Sequence, residues 1–260
     1  MPGRIRIERH GPRAEIIVDH PERRNAITSS MWRSLTAAAH EVDQDTRVRV
    51  VVLRGEGELA FVSGADISQF EAERSGRSAF AYNAENDEAF AALAAIGKPV
   101  IAAIHGFCIG GGCALALTAD LRFCAEDAVF AIPAARLGLG YSAAGLAVLE
   151  RVVGLPRAKE MFLTARRFDA AEAERMGLVN RILPKAGLGE FVREQASLIA
   201  ENAPLTLRAA KEAFLDRGRP PADRRPERVE AAIRDCFESA DYAEGVRAFL
   251  EKRRPGFQGR

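Results

Sequence analysis

With four cysteines, four histidines and one tryptophan in 260 residues, this chain is poorly supplied for a disulfide framework or a zinc site. Cys108, Cys113 and Cys124 lie within apolar stretches, and no second cysteine pair stands near Cys108 and Cys113. They read as reduced core thiols, and no metal is expected. A one-sided charge is also missing. The formal net charge of +1 gives no basic excess to attract nucleic acid, and the first helix offers only Arg33 as a fixed cation, too little for a phosphate-binding comb. Behind Arg4, Arg6, Glu8 and Arg9 there is no apolar core of leader length, so the expected location is the cytoplasm. One uncharged stretch, Pro99 to Ala119, approaches the length of a membrane span. Its β-branched start breaks at Gly106 and again at Gly110, Gly111 and Gly112 before an Ala/Leu run, which is the pattern of a buried strand, a loop and a helix.

What is present is an ordinary globular composition, 48% hydrophobic and 28% charged, which argues against disorder and against a fibre. Segments 4–9 and 14–19 alternate apolar and polar residues, and predict a hairpin. Ser29 or Ser30 is placed to cap a helix with apolar positions Met31, Leu35, Ala38, Ala39 and Val42. A buried strand is expected at 48–53, a helix at about 77–95, a strand at 99–104, a helix at about 111–119, and strands at 120–124 and 128–132. This alternation predicts an α/β layered core. Beyond about residue 185 the pattern is helical only, over 188–216 and 226–253. The expected division is a core of residues 1–200 and a C-terminal helical region of residues 201–260.

Two glycine turns carry the chemistry. Ser63-Gly64-Ala65-Asp66-Ile67 follows an apolar segment, and Gly110-Gly111-Gly112-Cys113-Ala114-Leu115 leads into a helix. A glycine run at a helix start exposes N–H groups that lack intrahelical partners and lie at the positive end of the dipole, which suits a developing oxyanion. Tight strand-to-helix connections also need glycine, so each turn alone is ambiguous.

The turns do not stand alone. His20-Pro21-Glu22-Arg23-Arg24-Asn25-Ala26, the strand Val48 to Gly55, Phe61 to Ile67, Lys98-Pro99-Val100-Ile101-Ala102-Ala103, Gly110 to Leu115, Ala170 to Val179 and Arg247 to Arg253 occur in this order along the chain. Together they resemble the crotonase (enoyl-CoA hydratase/isomerase) superfamily over nearly the whole length. The resemblance implies a spiral of ββα units with a helical C-terminal region used in trimer formation. It also implies an acyl-CoA thioester as substrate, coenzyme A being part of that substrate and no separate cofactor being needed, and a homotrimer or dimer of trimers. The two oxyanion amides map onto Ala65 and Gly111. The coenzyme A path maps onto Arg24, Ala26, Ala65, Asp66, Ile67 and Ser68, and Lys252 matches a position that contacts coenzyme A from a neighbouring subunit.

The sequence departs from the hydratases of that family at two places. The glutamates that follow the glycine loop and the proline of the next strand are replaced by Ala114 and Ala134. Alanine neither positions water nor carries a proton, so ordinary crotonyl-CoA hydration is expected to be slow or absent. The spacing from Pro133 to Tyr141 resembles malonyl-type CoA decarboxylases of the superfamily, with Tyr141 as a catalytic candidate, although Ala65 stands where those enzymes carry histidine. Asp66 reads either as a cap of the following helix or as a water-positioning carboxylate, and His105 as a hydrogen-bonded core residue. Three functions follow: a hydratase/isomerase-type enzyme (lyase or isomerase), a decarboxylase using Tyr141, and a non-catalytic acyl-CoA-binding protein.

Overall fold

The computed structural model describes residues 2–69 and 78–260. The chain opens with an antiparallel hairpin of β1 (Arg4–His10) and β2 (Arg13–Asp19), followed by helix α1 (Ser29–Gln44). The same two-strands-then-helix pattern recurs. Strands β3 (Val50–Gly55) and β4 (Ala60–Val62) precede α2 (Ser78–Ala94), and β5 (Val100–Ile104) and β6 (Phe107–Ile109) precede α3 (Gly111–Ala116). In the next turn β7 (Leu121–Ala125) and β8 (Val129–Ala131) precede α4 (Ala143–Thr164), which kinks at Gly154. Strand β9 (Phe168–Asp169), helix α5 (Ala170–Arg175) and strand β10 (Arg181–Leu183) complete the core.

From β3 onward each turn sends its first strand into one sheet and its second into another. The larger sheet has the order β1-β2-β3-β5-β7-β10 and the smaller β4-β6-β8-β9. In the larger sheet every pairing after the β1–β2 hairpin is parallel. A parallel sheet needs cover on both faces, and the residues of β3 supply it by alternation. Val51 and Leu53 face a core that includes Trp32, Phe61 and Leu93, whereas Val50 and Val52 face Val192 and Ala196 of α6 (Leu188–Ala200). The cysteine expectation holds for Cys108, Cys113 and Cys124, which are buried and unbridged, and burial pushes the Cys124 thiol up to about 12.

Pro99 to Ala119 forms β5, β6 and α3, and among the described residues no helix is long and apolar enough to cross a membrane. Helix caps were less legible. Thr28, not Ser29 or Ser30, occupies the cap of α1, and its hydroxyl lies 3.1 Å from the Ser30 hydroxyl instead of bonding the helix amides. The two long helical stretches each divide. Residues 188–216 become α6 and α7 (Pro204–Arg217), because Pro204 fits a first helical turn but cannot continue a preceding one. Residues 226–253 become α8 (Pro226–Glu238) and α9 (Ala240–Leu250), where the Ser239 hydroxyl accepts from the Tyr242 amide at 3.0 Å.

Candidate active site

Strand β4 and helix α3 bring the two glycine turns together. After β4 the chain turns at Gly64, whose φ of +105° is accessible to glycine at little cost, and Ala65 then pairs with Ile27 as an isolated parallel bridge. The Ile27 amide donates to the Gly64 carbonyl (2.8 Å) and the Asp66 amide to the Ile27 carbonyl (2.9 Å). These bonds use the groups on either side of Ala65, so its own N–H points to the opposite side, toward α3. That helix starts at Gly111, where the first amides have no intrahelical acceptor. The start is pressed against β4 at Gly112: a Cβ there would lie 2.1 Å from the Val62 carbonyl oxygen. A Cβ placed on Gly111 would lie only 3.9 Å from the Ala65 nitrogen and 3.4 Å from the Trp32 ring. Among the described residues neither the Ala65 nor the Gly111 amide finds an acceptor.

Ala65 and Gly111 both border a cavity of about 230 Å³. Trp32, Phe90, Ile132 and Leu139 give it an apolar wall, and Trp32 meets Phe90 edge to face with centroids 5.2 Å apart. Ala114 and Ala134 also line it, so the positions of the two missing glutamates face the same space as the two amides. Tyr141 enters from the loop before α4, half-buried, with its ring edge-on to Phe162 at 5.3 Å.

Of the residues singled out in the sequence, Ala65, Ile67, Gly111 and Tyr141 border the cavity; Arg24, Ala26, Asp66, Ser68 and Lys252 do not. Arg24 and Ala26 are nevertheless laced to the first turn. The Ser63 amide donates to the Arg24 carbonyl (3.1 Å), the Arg24 guanidinium lies 4.9 Å from the centre of the Phe107 ring, and the Ala26 carbonyl is bonded to His20 Nδ1 (2.8 Å). The Asp66 carboxylate closes the turn Ile67–Gln69 by accepting from the Ser68 amide (3.0 Å) and hydroxyl (2.7 Å). Burial opposes its charge, but the Ser68 bonds together with Arg23 and His20 outweigh burial and hold the carboxyl below its ordinary range. Lys252 stands exposed just beyond α9 in a left-handed conformation (φ +54°), its amide bonded to the Phe249 carbonyl at 3.2 Å.

One reading is corrected. His105 is not a hydrogen-bonded core residue: among the described residues its Nδ1 is enclosed without a partner, it borders a second cavity, and burial draws its pKa down. Glu8, His10 and Glu15 present ligand atoms within 4.8 Å of one another. Arg13 (3.1 Å) and Arg54 (2.7 Å) already engage Glu15, which makes the group a poor cation site.

The residues that sequence reasoning missed lie on α2. Asn83, Asn86 and Asp87 line the cavity together with Phe90, and among the described residues Asp87 is the sole carboxylate that does so. Their spacing of three, four and seven places one helical face against the cavity, which was the available signal.

Two glycine turns meeting over a partly open, largely apolar cavity make the frame of the site. Residues 10–260 match the family model described as enoyl-CoA hydratase/isomerase, and the chain belongs to that family. It is 34% identical over 255 residues to the short-chain-enoyl-CoA hydratase of Clostridium acetobutylicum, covering 98% of this chain and 97% of the relative. It is also 34% identical to the carnitinyl-CoA dehydratase of Salmonella typhi, covering 98% of each. A solved enoyl-CoA hydratase/carnithine racemase from Magnetospirillum magneticum superposes with a TM-score of 0.92 at 36% identity, over 98% of this chain and 96% of that one. The fold is thus the crotonase fold.

Proposed function

We propose that this protein is an enzyme acting on acyl-CoA thioesters through an enolate whose oxygen is held by the amides of Ala65 and Gly111. The observation that carries this reading is the pair of partnerless amides, brought to one side of an acyl-sized cavity by the Ile27–Ala65 bridge and the Val62–Gly112 contact. A thioester enolate concentrates negative charge, and fixed donors stabilise it without reorganising during the reaction. Arg24, Ala26 and Asp66 to Ser68 then border the path of coenzyme A, and Lys252 reaches it from a neighbouring subunit. Exposed Phe214, Phe237 and Phe249 on α7, α8 and α9 support an assembled trimer or a dimer of trimers, and a monomeric mass in solution would remove that part of the proposal.

The names of the relatives favour hydration, dehydration or isomerisation. Because alanines occupy both carboxylate positions at the cavity wall, crotonyl-CoA hydration is expected to be slow. One observation supports a second reaction on the same site: Tyr141 borders the same cavity as Ala65 and Gly111. In a malonyl-type ester the bond to the carboxylate carbon breaks, its electron pair enters the thioester enolate, CO₂ leaves, the Tyr141 hydroxyl donates a proton to the α carbon, and the phenolate so formed takes a proton from water. Product analysis by mass spectrometry on enoyl-, 3-hydroxyacyl- and malonyl-type CoA esters, with a binding titration for each, tests the reading. Hydrated, dehydrated or isomerised product supports the first reaction; CO₂ loss that falls in Tyr141→Phe supports the second. Binding without product would indicate a binding protein, and no binding at all would refute the proposal.

A further inference from the structure

Helix α2 has two faces. Tyr82, Ala89 and Leu93 are buried in the core, and the Trp32 indole N–H donates to the Tyr82 hydroxyl at 3.1 Å. Asn83, Asp87 and Phe90, spaced by four and three, share the other face and border the cavity. The two acidic residues at 85 and 87 are used differently. Glu85 is engaged by Arg33, whose Nη1 donates to both of its carboxylate oxygens at 2.9 Å. Asp87 is exposed, and among the described residues its carboxylate makes no hydrogen bond or ion pair. Of the side chains that border the cavity among the described residues, Asp87 alone takes up a proton readily near neutral pH; the hydroxyls of Ser63, Tyr141 and Ser142 and the carboxamides of Asn83 and Asn86 do not.

We propose that Asp87 is a catalytic residue that moves a proton between two carbons of the bound acyl chain, the acid–base work that Ala114 and Ala134 leave unassigned. The inference rests on the acyl-CoA reading above and adds the group that acts on the ester. Addition of water calls for one group to deprotonate it and another to protonate carbon, whereas a single carboxylate suffices for a 1,3 proton shift. In a 3-enoyl ester the Asp87 carboxylate takes a proton from the α carbon. The electron pair of that C–H bond enters the thioester, giving a dienolate whose oxygen the Ala65 and Gly111 amides hold. The Asp87 carboxyl then gives its proton to the γ carbon as the double bond moves to the 2 position. No other reactant is consumed.

Turnover of trans-3-hexenoyl-CoA by the full-length protein, followed through the absorbance of the conjugated product, tests the proposal alongside isothermal titration with hexanoyl-CoA. The wild type is expected to isomerise the ester. Asp87→Asn should lower kcat roughly 10²–10⁴-fold and leave the affinity for hexanoyl-CoA and the thermal midpoint unchanged, since an exposed side chain without partners holds no other group in place. Asp87→Ala should lose as much turnover, and added formate, a carboxylate small enough to enter the vacated space, should restore part of it; a structural role gives no such rescue. Wild-type kcat in Asp87→Asn, or a loss in Asp87→Ala that formate leaves untouched, would overturn the proposal. Binding of hexanoyl-CoA by the wild type with no isomerisation would overturn it while leaving the acyl-CoA reading intact. Failure of the wild type to bind either ester would remove both.

Discussion

Gly112→Ala tests how the site is built. The added Cβ would meet the Val62 carbonyl oxygen at 2.1 Å, where ordinary contact begins at 3.4 Å, so helix α3 and β4 must part by about 1 Å. Neither side yields easily, because both contacting groups belong to the main chain and β4 is pinned by β6 on its other side. Overpacking of this kind costs roughly 1–3 kcal/mol of stability, or about 2–10 °C in thermal midpoint for a chain of this size. The same displacement carries the Gly111 amide away from the Ala65 amide. A misplacement of about 1 Å in a catalytic group costs on the order of 10²-fold in rate, and loss of an oxyanion donor about 10²–10³-fold. The expected result is therefore a fall in kcat of about 10²-fold or more, measured with an ester that the product panel shows to be turned over, together with a lowered midpoint by calorimetry. Gly187→Ala is the control, since no atom lies within 4 Å of its added Cβ. If Gly112→Ala kept wild-type kcat and midpoint, the Val62–Gly112 contact would not position the amide and the account of the site would fail.

Three further outcomes follow from the structure. Ala114→Glu combined with Ala134→Glu should raise crotonyl-CoA hydration at least about 10²-fold, followed by loss of the enoyl absorbance, because it returns groups able to position water and move a proton; a folded double variant with no gain would show that the missing carboxylates are not what limits hydration. Asp120 accepts from the Val100 amide (2.7 Å) and from the buried Lys211 ammonium (2.8 Å), whose remaining acceptor is the Lys98 carbonyl at 2.9 Å. Asp120→Ala should cost about 2–3 kcal/mol, moderated because Asp120 is partly exposed, and adding Lys211→Met should recover part of the loss in urea titrations; strict additivity would argue against the pair. Glu244 is held down at about 2, first by its bond to Arg253 and then by the Gly256 amide. A depressed carboxyl stabilises the fold above its unfolded value near 4.5 and loses that contribution as pH falls toward 2, so Glu244→Gln should flatten the acid-unfolding curve in that window.

Much of the fold was written in local signals. The β-branched runs at Val50 to Leu53 and Val100 to Ile104 have room for nothing but strands buried on both faces, and the glycines at 110–112 mark where a strand stops and a helix starts. The breaks within the C-terminal helices were also marked, by Pro204 and Ser239, but helical periodicity runs across a break when the flanking helices keep similar apolar spacing. The choice of Thr28 as cap was not legible, because Thr28, Ser29 and Ser30 are chemically equivalent candidates and the entry angle from the Ile27 bridge decides among them.

The site divides along the same line between local and non-local information. Ala65, Gly111 and Tyr141 were reachable because their motifs are contiguous, and the cavity gathers all three. The face of α2 was not, although Asn83, Asn86, Asp87 and Phe90 repeat at helical spacing. Polar residues at that spacing ordinarily describe a solvated helix face, and only the packing of Tyr82 against Trp32 rotates this one toward the acyl space. That rotation also changes what the two alanines mean. Ala114 and Ala134 remove carboxylates from one wall, while α2 places the Asp87 carboxylate on another, so the cavity has not lost its polarity but relocated it.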